Sequence, residues 1–278
     1  MTDQSYKPVY SIEHFNDLVS SSRNKVRSKN INCYLLAEEI EIDIANSCFF
    51  YDESDAGLLI FREYQSAYYL YLFVNVDIVF HISKREKPIL ADFVGKHDLD
   101  ENNRKCINLL LTNGFSHYIT ARRMVKKYVS DDFMYNDFTQ PESFYRIGFA
   151  DSSEIDAIYM LWSENLDIIA NPFSKKWLTE QIMQRNIICA KAENGDVIGT
   201  IQIAQAGKLS YIGRLAVLPE YRRKKIAQSM MNYCLALSSQ KDISKIALWV
   251  ENSNKGAISL YSKLGFEFDG MLSEQYLL

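Results

Sequence analysis

Arg222, Arg223, Lys224 and Lys225 stand between an apolar run, Leu215 to Leu218, broken at Pro219, and a segment that takes up helical periodicity at about Ile226. Four cations at a strand-to-helix junction are placed for one kind of chemistry, the holding of a phosphate-bearing ligand. A helix leaves its first backbone N–H groups unpaired and carries a partial positive charge at that end, so those amides would act on the same anion as the side chains. The plain alternative is a solvated basic loop.

A second group follows on the next strand and helix. Asn254, Ala257 and Tyr261 are spaced along a helix that runs into Gly265 and Phe266. The Tyr261 phenol is a proton donor if it faces a reacting centre and a core aromatic if it does not. Glu251, at the end of the strand before it, offers a carboxylate base or a solvated loop charge. The strand Leu209 to Val217 offers Ser210, Tyr211 and Arg214 but no carboxylate, and all four histidines (His14, His81, His97, His117) precede residue 118. Asp167 and Glu164 are placed either to line an acceptor site or as helix-surface charges.

The elements that must position these groups are readable in the second half. Tyr145 to Phe149 predicts a strand. Asp151 with Glu154 three residues on has capping-box spacing, and Ile155, Ile158, Leu161 and Trp162 recur on one helix face. A helix is expected over 175–183 and strands over 186–191 and 197–204 around a turn at Gly195. Then come a strand over 209–217, a helix over 226–239, a strand over 244–250 and a helix over 255–264 closed by Gly265. Short strands over 266–270 and 275–278 finish the chain. The order β-α-α-β-β-β-α-β-α-β-β predicts an α/β fold with a mixed sheet and a central βαβ crossover.

The first half yields less. Strands are expected over 57–64 and 67–75, with a turn at Gln65-Ser66, and over 88–94. A helix over 101–112 and a strand over 113–120 follow. The run Leu109 to Phe115 echoes Tyr261 to Phe266, as an internal repeat would, but the gap from Phe73 to Pro88 is too short for a phosphate loop and a full helix. Either a degenerate repeat or an unrelated α/β domain fits. The polar stretch 130–143 reads as a linker, which sets expected domains at 1–137 and 143–278.

The 278 residues suit two domains of about 130–150 each. With 47% apolar and 24% charged residues the chain is no disordered polymer, and its net charge of −4 excludes a nucleic-acid binder driven by phosphate contacts. The segment from Met1 to Glu13 is polar and shows no targeting signal, and the most apolar run, 67–82, is too short to span a membrane. Five separated cysteines without a C-x-x-C pair argue against a metal site and for reduced thiols in the cytoplasm.

The stretches Leu215–Ala227 and Leu248–Phe266 together resemble the GNAT superfamily of N-acetyltransferases. In the first, Arg222 and Ala227 take the outer positions of a Gln/Arg-x-x-Gly-x-Gly/Ala pattern, with Lys225 at the glycine position. In the second, Asn254, Ala257, Tyr261, Gly265 and Phe266 match Asn-x-x-Ala followed by Tyr-x-x-x-Gly-Phe. The resemblance spans about 145–278 and implies a GNAT-like fold there. It implies acetyl-CoA as co-substrate, with no metal, and direct transfer to a primary amine of a small molecule or peptide by a monomer or homodimer. It further implies that backbone groups of Leu215, Ala216 and Val217 pair with the pantetheine arm and that an amide at Val217 or Leu218 faces the thioester oxygen. Arg222, Arg223, Lys224, Lys225, Ile226, Ala227 and Gln228 would surround the diphosphate, Asn254 would touch the coenzyme and Tyr261 would protonate the sulfur. The rival reading is a non-catalytic acyl-CoA-binding or protein-interaction module on a decayed fold. A third is transfer of a larger acyl group.

Overall fold

The computed structural model describes residues 7–127, 144–239 and 243–278. In chain order the elements are β1 (Lys7–Pro8), α1 (Ile12–Val26), β2 (Lys29–Asn30), α2 (Ala37–Ala45), β3 (Phe49–Ser54), β4 (Gly57–Glu63), β5 (Tyr68–Val74), β6 (Ile89–Lys96), α3 (Glu101–Thr112) and β7 (Ser116–Lys127). They continue with β8 (Tyr145–Phe149), α4 (Ile155–Asn165), α5 (Lys175–Met183), β9 (Ile187–Ala192), β10 (Val197–Ala206), β11 (Leu209–Val217), α6 (Ile226–Ser239), β12 (Lys245–Glu251), α7 (Lys255–Lys263) and β13 (Glu267–Leu277). The linker expected over 130–143 lies outside the described residues.

The chain divides into two compact units, residues 1–120 with 271–278, and residues 121–270. This differs from the expected 1–137 and 143–278 at both ends, because the division cuts β7 after Thr120 and β13 after Gly270. Two short terminal strands were expected, yet β13 is continuous. Gly270 adopts φ +87°, a left-handed value that bends a strand without ending it, and Met271 to Leu277 pair antiparallel with Lys96 to Leu90.

In the first unit the strands run β1-β3-β4-β5-β6-β13, with β2 added beside β5. Alternation decides its two cores. Leu59, Phe61, Leu70, Leu72 and Val74 face α3, through Cys106, Ile107 and Leu110. Their neighbours Leu58, Ile60, Tyr71 and Phe73 face α1, through Phe15. Three elements here carry no clear sequence signal. α1 buries only Phe15 among fifteen residues. In α2, Ile40, Ile42 and Ile44 alternate as in a strand, and what makes it a helix is a Glu39 carboxylate accepting the Leu36 N–H at 2.8 Å. β3 mixes Phe49 and Phe50 with Asp52, Glu53 and Ser54.

In the second unit the order is β7-β12-β11-β10-β9-β8, parallel only between β11 and β12. Ile188 and Ala190 join α6 and α7 in one core; Ile187 and Cys189 join α4 and α5 in the other. Asp151 and Glu154 form the expected capping box. Trp162, fully buried, donates its indole N–H to Thr200 Oγ1 at 2.6 Å. Replacing Thr200 by Val keeps the volume and removes the acceptor, which should cost about 1–3 kcal/mol in chemical denaturation; an unchanged midpoint would show that the bond contributes nothing.

Candidate functional site

β11 and β12 pair in parallel over four positions, Leu209 with Lys245 through Ile212 with Leu248, and there the ladder stops. Each strand continues on its outer side, β11 along β10 to Val217 and β12 along β7 to Glu251. Beyond Ile212 the β11–β12 ladder does not continue, and Leu215 and Val217 border the gap that opens there. Arg214 marks the divergence with φ +37°, beside a register shift on β10 between Thr200 and Gln202. Its guanidinium donates to Gln202 Oε1 at 2.8 Å and the Pro172 carbonyl at 3.0 Å, and lies 4.5 Å from the Trp177 ring centre. That guanidinium ties the loop between α4 and α5 to the divergence point.

A cavity of about 530 Å³ opens at the splay. Leu215 and Val217 of β11 line it, as do Ile226, Ala227 and Gln228 at the start of α6, and Asn254 and Tyr261 of the α7 region. The first bond within α6 runs from the Ser229 N–H to the Lys225 carbonyl at 3.0 Å, so the amides of Ile226, Ala227 and Gln228 have no intrahelical acceptor. The charged residues of the lining are Arg222, Arg223 and Lys225. All are cations, and they sit at the helix end that already favours an anion.

The loop before α6 keeps a glycine-like backbone without glycine. Arg223 and Lys225 have φ +62° and +63°, a left-handed conformation that costs a residue with a side chain roughly 1 kcal/mol. Lys225 therefore preserves the path that the glycine of the sequence pattern would take, under strain, and adds a cation to the cavity.

Not every expected contact forms. The Arg222 guanidinium is engaged in scaffolding, donating from Nε to the Val217 carbonyl at 3.1 Å and from Nη2 to Asn165 Oδ1 at 2.7 Å. Lys224 is absent from the lining; its ammonium lies 4.9 Å from the Tyr221 ring centre and 5.5 Å from that of Phe144. Ala216 turns into the core with α4 and α5. The Leu218 N–H is spent on the Ile198 carbonyl at 3.0 Å. By strand alternation the Val217 N–H is then the amide on the open edge.

Asn254 caps α7, its Oδ1 accepting the Ala257 N–H at 3.0 Å, and it lines the cavity. Tyr261, buried to all but 7%, has its ring centre 6.2 Å from that of Phe266. Burial pushes its phenol up to about 12, so it is protonated throughout the neutral range. Glu251 does not reach the cavity; it accepts the Ser253 hydroxyl at 3.2 Å in the turn after β12. No carboxylate or imidazole belongs to the described lining. Asp167 is occupied within its loop, where Oδ1 accepts the N–H groups of Ile169 and Ala170. The sequence reading missed Tyr221, Gly256 and Leu260, which also line the cavity. For Leu260 the signal was its helical spacing from Ala257; Tyr221 lies in the turn before the cationic loop, outside that periodicity.

A model of the acetyltransferase (GNAT) family matches residues 155–266. Residues 155–266 are a GNAT acetyltransferase domain. The match contains β11, the cationic loop, α6, β12, α7 and Phe266. N-alpha-acetyltransferase 30 of Xenopus laevis is 37% identical over 67 residues, 24% of this chain and 24% of that protein. N-alpha-acetyltransferase MAK3 of Arabidopsis thaliana is 34% identical over 67 residues, 24% of this chain and 35% of that one. The chain thus spans less than half the length of these curated relatives.

Solved structures extend the likeness of fold beyond the GNAT domain. A tandem GNAT protein from the clavulanic acid biosynthesis pathway superposes with a TM-score of 0.58 at 10% identity, covering 99% of this chain and 98% of that one. A GCN5-related N-acetyltransferase from Sphaerobacter thermophilus gives 0.55 at 11% identity, covering 95% and 91%. At such identities the likeness concerns the fold alone. The GNAT fold, a mixed α/β sheet, is thereby shown and reaches into the first unit.

Strain at Lys225 has a direct consequence. Lys225→Gly should stabilise the second unit by up to about 1 kcal/mol in denaturant unfolding. A loss of stability would mean that the lysine side chain holds the loop by contacts that outweigh its backbone strain.

Proposed function

We propose that the second unit carries an N-acetyltransferase that moves an acetyl group from acetyl-CoA directly to a primary amine. The observation that carries this reading is the convergence in one cavity of a strand edge past the end of the parallel ladder, a cationic helix N-terminus and a buried protonated phenol. The residues fit the coenzyme in chemistry. Beyond the end of the β11–β12 ladder, and with the Val217 carbonyl taken by Arg222, the Val217 N–H is the main-chain donor offered to an extended amide-containing arm, as to a further strand. The amides of Ile226, Ala227 and Gln228, with Arg223 and Lys225, oppose the charge of a diphosphate. The Asn254 NH₂ is a further donor.

When bound, the coenzyme would supply an acyl group already activated as a thioester. The chain's part is to hold it and to manage charge and protons. The Val217 N–H, on the open edge, would donate to the carbonyl oxygen as negative charge grows there, the role of an oxyanion donor. Tyr261, kept protonated by burial, donates its phenolic proton to the departing sulfur. With no carboxylate or imidazole in the described lining, the acceptor enters as the neutral amine, and the proton that its nitrogen sheds as the C–N bond forms and the C–S bond breaks passes to water, which returns a proton to Tyr261. The same observation favours the rival reading, a coenzyme-binding module without turnover. Five unpaired cysteines fit a reducing cytoplasmic setting. The resemblance to proteins named N-alpha-acetyltransferase makes peptide α-amines the first acceptors to assay, beside polyamines and aminoglycosides.

A thiol-release assay over those acceptors should show turnover. Tyr261→Phe should slow it about 100-fold with little change in coenzyme affinity. Equal rates for the two would remove Tyr261 from the mechanism; binding without turnover on any acceptor would establish the rival reading.

A further inference from the structure

The first unit repeats the splay of the second. β5 and β6 pair in parallel at only two positions, Tyr68 with Ile89 and Tyr69 with Leu90, while their outer edges continue along β4 and β13. Here the opening is filled. β2 lies antiparallel to β5, Lys29 opposite Val74 and Asn30 opposite Phe73, and the Ile31 N–H donates to the Leu72 carbonyl at 2.9 Å. At the point of divergence the Asn32 carboxamide replaces a peptide group. Its Oδ1 accepts the Leu72 N–H at 2.8 Å, and its Nδ2 donates to the carbonyls of Leu70 on β5, at 2.9 Å, and Asp92 on β6, at 3.2 Å. Asn32 is 1% exposed.

We propose that the first unit keeps a coenzyme-type wedge and occupies it permanently with the chain's own segment Lys29–Asn32, which takes the place of the extended ligand arm. The proposal rests on reading the open splay of the second unit as the seat of that arm. Three features support it. The segment satisfies the β5 edge through main-chain groups, as a pantetheine arm would satisfy an open edge. Asn32 is an amide set between two diverging strands, where a ligand amide would bridge them. And no helix follows β5, because residues 75–88 return directly to β6, so no amide cluster exists there to hold a diphosphate. A carboxamide that bonds both strands also explains a buried polar side chain that would otherwise be costly. The first unit is then a scaffold whose wedge is closed by its own chain.

Hydrogen exchange of the full chain, with and without saturating CoA, tests this. Peptides covering 68–74 should be strongly protected in the free protein and unchanged by CoA, whereas peptides covering 213–228 should exchange fast and slow markedly when CoA is added. In Asn32→Ala, exchange over 70–74 should rise about tenfold or more, with the CoA response of 213–228 retained. Fast exchange over 68–74 in the free wild-type protein, or protection there gained on adding CoA, would overturn the proposal. The wild-type measurement decides even if the variant fails to fold. A segment 213–228 that ignores CoA while 68–74 stays protected would count against the coenzyme reading of the second unit and leave the filled wedge standing.

Discussion

The structure of the second unit depends on a ladder that ends early. Two parallel strands hold together for four pairs and then part, and what they leave is a gap in the sheet lined by Leu215 and Val217. Buried main-chain groups without partners are expensive, so such an opening persists only where water or a ligand completes it. The surrounding features follow from this. Arg214 fixes the point of parting and the loop between α4 and α5. Arg222 binds the Val217 carbonyl and thereby holds the cationic loop against the end of the strand. α6 begins where its unpaired amides face the opening.

The two units resolve the same constraint in opposite ways. In one the splay opens on a cationic cavity; in the other a short strand and one asparagine carboxamide complete the hydrogen bonds. The contrast supports placing the proposed acetyl transfer in the second unit. It also assigns the basic residues unequal work. Arg223 and Lys225 face the cavity, Arg222 builds the loop and Lys224 rests on two aromatic rings, so a run of four like charges is not a fourfold binding site.

Much of the site was legible from residue order, because the determinants there are local. The capping box in the turn leading into α4, the αL residue Gly265 after α7, the βαβ crossover and the Asn254–Tyr261 spacing all follow from periodicity and turn chemistry. What stayed hidden depends on tertiary contacts. Helix α2 is not legible in the sequence, because its isoleucines alternate instead of following helical spacing and its first turn is closed by the Glu39 side chain. β13 reads as two strands until its pairing with β6 shows that Gly270 only bends it. The role of Asn32 has no local signal at all, since its three partners lie on β5 and β6, some forty and sixty positions away along the chain. Glu251 looked placed for a base because it ends β12, but the strand's side-chain alternation and the Ser253 hydroxyl hold it away from the cavity.

The central claim is that the open splay seats a coenzyme A thioester, and calorimetric titration of the intact chain with acetyl-CoA tests it most directly. The account requires saturable binding of one coenzyme per chain, weakened when Arg223 and Lys225 are both changed to Ala and weakened by added salt, as expected for a diphosphate held by cations. Absence of heat at millimolar acetyl-CoA, or binding indifferent to that double substitution, would contradict it.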